Sequence, residues 1–144
     1  MLATIGYISN ATEHLKKGDI ENIVKDAILY NKKHGITGIL YFANGKFLQF
    51  IEGDRAEIEA LYQKLSKDSR HNDFVKFHDA DISERAFGEW DMAIRKSEDY
   101  KASELELFND IFNIYKLKVY KTAEKNRVKI KTLIDIFRKP AVNL

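Results

Sequence analysis

Apolar positions recur along this chain with two periods. "ATIGYIS" alternates, placing Ala3, Ile5 and Tyr7 on one face, and predicts a first strand. "GDIENIVKDAILYNKKHG" repeats every three to four residues and predicts a helix. Ile20, Ile23, Val24, Ala27 and Ile28 form its stripe, Asp19 is placed to cap its start, and Gly35 to end it in a left-handed turn. Two apolar runs then flank Asn44-Gly45, a dipeptide that favours a type I′ hairpin. A two-residue turn pairs Ala43 with Lys46, Phe42 with Phe47, Tyr41 with Leu48 and Leu40 with Gln49. One face then holds Leu40, Phe42, Phe47, Gln49 and Ile51, and the other Ile39, Tyr41, Leu48 and Phe50. Both faces are apolar, so the hairpin is expected to be covered on both sides.

"DRAEIEALYQKLSKD" predicts a second helix, with Ile58, Leu61 and Leu65 inward and Asp54 and Glu57 at capping-box spacing. "DFVKFHDADI" reads as a fourth strand. "EWDMAIR" reads as a fifth, with Trp90, Met92 and Ile94 on one face. The order βαββαβ plus one strand predicts an α+β, ferredoxin-like sandwich: a mixed five-stranded sheet with helices on one face. A C-terminal helical extension is expected to cover the other face. Its first piece opens at a Ser103/Glu106 capping box and carries Leu105, Phe108, Ile111, Phe112, Ile114 and Tyr115. Its second carries Val128, Ile130, Leu133, Ile134 and Phe137 and stops before Pro140. "KTAEKN" is read as the loop between them. The domain division falls at 1–97 and 98–144.

Composition narrows the chemistry. The 144 residues contain no Cys, which excludes disulfides, thiolate metal sites and a Cys nucleophile. His14, His34, His71 and His78 have no ligand-like spacing, so no metal is expected. No run approaches the roughly 18 apolar residues of a membrane helix, and the start lacks a signal-peptide pattern. A cytoplasmic protein is expected. Net charge is +2 but uneven. Residues 116–139 hold nine Lys or Arg against Glu124 and Asp135, a local +7, which leaves the rest at −5. No nucleic-acid motif accompanies the basic segment, and a solvated helix face is the simpler reading. There is no Gly-rich phosphate loop, no triad spacing stands out, and Asp79 and Asp81 read as solvated strand residues.

The predicted register puts Gln49 on an apolar face. A buried amide without partners costs roughly 1–3 kcal/mol per unsatisfied group. Tyr7 and Asn31 are candidate partners, and Trp90 and Met92 flank Asp91 as a candidate wall. Residue types alone leave two readings open. These are ordinary rim and cap residues, or a Tyr-Gln-Asn set around a planar heteroaromatic ligand. "DSRH", Asp68 to His71, reads by itself as a polar helix-end turn.

Several motifs carry a resemblance when taken in order. They are "YIS" with Tyr7 and Ser9, Asn31 four residues before the Gly35 of "GITG", "FLQFIEG" with Gln49, "DSRH", and "WDM" with Trp90 and Met92. From Leu2 to Arg95 the chain resembles the BLUF domains, blue-light sensors that bind flavin adenine dinucleotide. The resemblance implies a short sensor with two C-terminal helices and no enzyme activity. It implies FAD as cofactor, with FMN or riboflavin as alternatives. Tyr7 would be the light-driven electron and proton donor. Gln49 would bridge Tyr7 and the flavin, and its amide would change orientation or tautomer. Asn31 would hold the flavin C4 carbonyl and N3 edge. Asp68, Arg70 and His71 match the polar rim, Ile23 and Leu65 the residues sandwiching the ring, and Lys64 a phosphate or ribityl contact. Trp90 and Met92 would relay the Gln49 change. Ala27 departs from the Ser that many members carry, and Lys64 from the Arg that several carry. The implied output runs through a homodimer or larger homo-oligomer, or an unidentified downstream protein, with neither membrane nor nucleic acid expected. The alternative is a light-independent regulatory or nucleic-acid-binding module that uses the basic C-terminal helix.

Overall fold

The Asn44-Gly45 turn organises the sheet. Both residues take positive φ, 52° and 73°, as a type I′ turn requires, and Gly45 does so at no steric cost. The computed structural model describes residues 1–16, 18–116 and 123–139, with the side chains of 114–116 and 123–126 outside that description. In it β2 (Thr37–Ala43) and β3 (Lys46–Asp54) pair in the register the turn dictates, Phe42 opposite Phe47 and Leu40 opposite Gln49. With β1 (Leu2–Ala11), β4 (His71–Asp81) and β5 (Ala93–Lys96) they form one sheet in the order β4-β1-β3-β2-β5. β1 runs antiparallel to β3 and β4, and β2 antiparallel to β3. The chain falls into two units, Met1–Arg95 and Lys96–Leu144.

Two helices pack on one sheet face, α1 (Asp19–His34) and α2 (Arg55–Leu65). Ala3, Ile5, Leu40, Phe47 and Ile51 from the strands meet Ile58 and Leu61 of α2. Ile20, Ile23, Val24 and Leu65 pack against that cluster. Burial of each large side chain contributes roughly 1.5–3 kcal/mol. On the opposite face Ile39, Tyr41, Leu48 and Phe50 are also buried. Phe77 and Phe87 meet the Phe50 ring there at 5.5 and 5.7 Å.

Several local expectations give way to other partners. Asp19 is the first residue of α1 rather than its cap; Gly18 precedes it at φ 88°, and the Asp19 carboxylate accepts the Lys16 N–H at 2.6 Å. Asp54 precedes α2 without a side-chain capping bond. Glu57 is drawn instead to His34 Nδ1 at 2.8 Å, tying the end of α1 to α2. Asp79 and Asp81 are not simply solvated, because Arg55 reaches them at 2.9 and 3.0 Å. The fifth strand is shorter than its apolar pattern, and Trp90, Asp91 and Met92 precede it in an irregular segment. There the Asp91 carbonyl is taken by a side chain of α1 rather than by a strand.

The second unit holds α3 (Ala102–Lys116) and α4 (Ala123–Arg138). Ser103 lies inside α3, and Glu104 rather than Glu106 closes its start, accepting the Lys101 N–H at 2.9 Å. The expected loop at 121–126 is helical from Ala123, while 121 and 122 lie outside the described residues. Phe108 packs on Tyr100 and Phe137 at 4.9 and 5.1 Å. Ile130, Leu133 and Phe137 are buried at helical spacing. Val128, two residues before Ile130 and so on the far side of the helix, is 64% exposed. The Ile114 and Tyr115 side chains lie outside the described residues. No described helix is long and apolar enough to cross a membrane.

Candidate functional site

A cavity of about 380 Å³ lies between the sheet and the two helices of the first unit. Its volume is within the roughly 300–1,000 Å³ of small-molecule sites. Tyr7 and Gln49 form its floor. They face each other across the β1–β3 pair, as the alternation of two strands in this register requires. Tyr7 is fully buried and Gln49 nearly so. The Tyr7 hydroxyl donates to Gln49 Oε1, and Gln49 Nε2 donates to Met92 Sδ at 3.6 Å. Tyr7 is wedged edge-on to Tyr62 and tilted against Phe74, with ring centroids 5.5 and 5.3 Å away. Burial, with the neighbouring Tyr62 and Asp68, pushes the phenol well above its ordinary range and keeps its proton in place.

α1 builds one wall from Ile23, Ala27, Tyr30 and Asn31, which recur at helical spacing. Asn31 is 1% exposed. Its Nδ2 donates to the Asp91 carbonyl at 2.5 Å, while its Oδ1 is buried with no partner among the described residues. α2 supplies Leu61, Lys64 and Leu65, and Lys64 Nζ lies 4.2 Å over the Tyr30 ring. The turn after α2 brings Lys67, Asp68, Arg70 and His71 to the rim. Arg70 grips Asp68 through Nε and Nη2, the latter at 2.6 Å. That guanidinium holds the Asp68 carboxyl below its usual range. His71 Nδ1 lies 3.0 Å from Ser9 Oγ, and burial draws the imidazole down to about 4, so it is neutral near pH 7.

All of Tyr7, Gln49, Asn31, Ile23, Leu65, Lys64, Asp68, Arg70 and His71 therefore surround one cavity. Met92 touches it through Gln49. Trp90 does not line it; its ring stacks on Phe87 at 6.3 Å, under the Arg95 guanidinium at 5.0 Å. Sequence reasoning missed Tyr30, Leu61 and Lys67 as lining residues. The first two were within reach, since Tyr30 lies seven residues past Ile23 and Leu61 four before Leu65.

A planar heteroaromatic ring with an amide edge fits this chemistry. The walls are apolar above and below, and the buried Asn31 Oδ1 is an acceptor that an N–H at the ring edge satisfies. Comparisons with known proteins agree. The family model "BLUF: Sensors of blue-light using FAD" matches residues 2–93. The chain is 41% identical over 90 residues to the photoactivated adenylate cyclase subunit beta of Euglena longa, covering 62% of this chain and 10% of that protein. It thus spans about a tenth of the curated relatives it matches. Among solved structures it is similar to the dark state of BlrB, a BLUF protein, at 26% identity and a TM-score of 0.69, covering 94% of this chain and 96% of that one. The photo-activated state of BlsA shares the fold with a TM-score of 0.77 at 22% identity, over the whole of both chains. The chain belongs to the BLUF family of blue-light sensors.

Proposed function

We propose that this chain senses blue light through a hydrogen-bond switch centred on Gln49. The observation that carries the reading is the buried Tyr7 hydroxyl–Gln49–Met92 chain at the floor of the cavity. A bound flavin, FAD with FMN or riboflavin as alternatives, supplies blue-light absorption and, once excited, a strong oxidant. Asn31 offers its amide to the ring edge, Ile23 and Leu65 enclose the ring, and Lys64, Asp68, Arg70 and His71 form the polar rim. With flavin bound, Tyr7 would be the donor of an electron to the excited ring, and Gln49 Oε1, which accepts the Tyr7 hydroxyl hydrogen bond, would be the base that takes the proton. Both return to Tyr7. The Gln49 amide is left in an altered orientation or tautomer, in which Nε2 no longer serves Met92. Neutral Tyr7 keeps the floor free of charge in the dark, so the amide is held there by its hydrogen bonds to Tyr7 and Met92.

The altered floor is then read through Met92 and the segment before β5, by a second copy of this chain or a separate protein. The basic stretch 116–139 lies partly outside the described residues and favours no second reading. The test is the absorption spectrum of flavin-loaded protein before and after blue light. The expected result is a reversible red shift in the native protein and none in Tyr7→Phe, with flavin retained. A photocycle of native size in Tyr7→Phe would refute the donor role. A flavin-bound native protein indifferent to blue light would refute the whole reading.

A further inference from the structure

Glu52 is a buried carboxylate that the switch does not use. It lies three residues beyond Gln49 on β3, so it points to the opposite sheet face. It is 2% exposed. Its two oxygens divide two successive backbone donors: Oε2 accepts the Ala86 N–H at 2.7 Å and Oε1 the Phe87 N–H at 2.8 Å. Arg85, the residue before them, is itself bolted down. Its Nη1 donates to Thr37 Oγ1 and to the Glu52 carbonyl at 2.9 and 3.2 Å, and its Nη2 to the Gly35 carbonyl at 2.8 Å. Phe87 is buried against Phe50.

The same segment continues to the switch. The Phe87 carbonyl accepts the Trp90 N–H at 3.1 Å, and the Trp90 carbonyl accepts the Gly38 N–H at 3.0 Å. Asn31 holds the Asp91 carbonyl, and Gln49 touches Met92 through sulfur at 3.6 Å. One end is thus held by charge-assisted hydrogen bonds; the other is held by neutral hydrogen bonds at the Trp90 and Asp91 carbonyls and meets Gln49 itself through a weak N–H···S contact. We propose that Glu52 is a positioning residue that pins residues 86–87, so that a change at Gln49 displaces only the Trp90–Met92 end of this segment. The inference rests on the Gln49 switch described above. A carboxylate suits the role because two adjacent N–H donors need two acceptors. Glutamine offers one acceptor and turns its NH₂ against the other donor.

Backbone amide exchange measured residue by residue tests this in the full chain. The Met92 end is released in two independent ways, by illuminating flavin-loaded protein and by Met92→Ala in the dark. Either should raise exchange at Trp90 and Gly38 by about tenfold while Ala86 and Phe87 stay within about twofold of the native dark rate. Glu52→Gln should raise Ala86 and Phe87 about tenfold in the dark. It should also shrink the light-dark difference at Gly38 while leaving the flavin red shift in place, a split that simple destabilisation does not produce. Ala86 and Phe87 opening together with Trp90 on release, or a native light-dark difference at Gly38 in Glu52→Gln, would overturn the proposal. A native protein without a red shift refutes the switch, and the Met92→Ala arm still decides the pin. That arm leaves Glu52 unchanged, so it also decides the case if Glu52→Gln does not fold.

Discussion

At pH 5 the folded protein is expected to be about 2 kcal/mol less stable than at pH 7.5 on account of His71 alone. The imidazole is 8% exposed, edge-on to Phe47 and Phe74 at 5.1 and 4.5 Å, and beside Ser9 Oγ at 3.0 Å. Burial pulls it from 6.5 to about 4; Asp68 opposes the change and Arg70 adds to it. The folded chain therefore leaves His71 neutral down to about pH 4, while the unfolded chain takes up the proton near 6.5. Between these values the unfolded state binds more protons. The contribution of His71 is complete above about pH 6.5 and is lost as the pH falls through 4. The full loss is about 3 kcal/mol, of which about 2 is gone by pH 5. Burial also lowers His78 and raises Glu52, with opposite effects on the slope. Comparison with His71→Gln subtracts both. The assay is urea unfolding followed by circular dichroism at pH 7.5 and 5, with flavin loading held constant. Native protein should lose about 2 kcal/mol more than His71→Gln over this interval. Equal losses in the two proteins would refute the argument that a buried, neutral His71 sets the slope.

Three further outcomes follow from particular contacts. Gly38→Ala places a methyl group against the Phe50 carbonyl oxygen across the β2–β3 pair; a loss of about 3 kcal/mol or more is expected in thermal or urea unfolding. Asn31→Ala removes the donor to the Asp91 carbonyl; it should cost about 1–3 kcal/mol and weaken flavin binding measured by fluorescence titration. Val128→Ser, at a position 64% exposed, should leave stability within about 0.5 kcal/mol of native by urea unfolding.

What could be read from the sequence was local or periodic. The hairpin register was legible because Asn44-Gly45 carries its own backbone geometry and strand parity does the rest. The cavity residues of α1 and α2 were legible as faces, since Ile23 and Asn31, or Leu61 and Leu65, share a side of a helix by spacing alone. The caps were not, because Asp19 and Glu57 had other partners, the Lys16 amide and His34, that spacing does not reveal. The apolar pattern of "EWDMAIR" gave no sign that Trp90–Met92 would stay irregular. Its carbonyls are claimed by Gly38 and Asn31, more than fifty residues earlier in the chain. The Glu52–Arg85 clamp was invisible for the same reason. The contacts it makes with residues 85–87 join positions 33 to 35 apart, and a lone Glu at the end of a strand looks solvated.

The two-residue turn between β2 and β3 has a consequence for how this chain can diverge. Exchanging Phe42 or Leu48 for another apolar residue keeps every neighbour on its own side. Adding a single residue within β3, between Lys46 and Leu48, leaves composition and hydropathy almost unchanged. Unless that residue is looped out as a bulge, it carries Gln49 to the Phe50 face and brings Leu48 into its place opposite Tyr7, trading an amide for an apolar side chain at the cavity floor, while Glu52 leaves the face on which it meets residues 86 and 87. The spacing of β3 is thus under tighter constraint than the identity of most of its side chains. Variation among descendants of this sequence should accumulate there as substitutions, while insertions and deletions collect elsewhere.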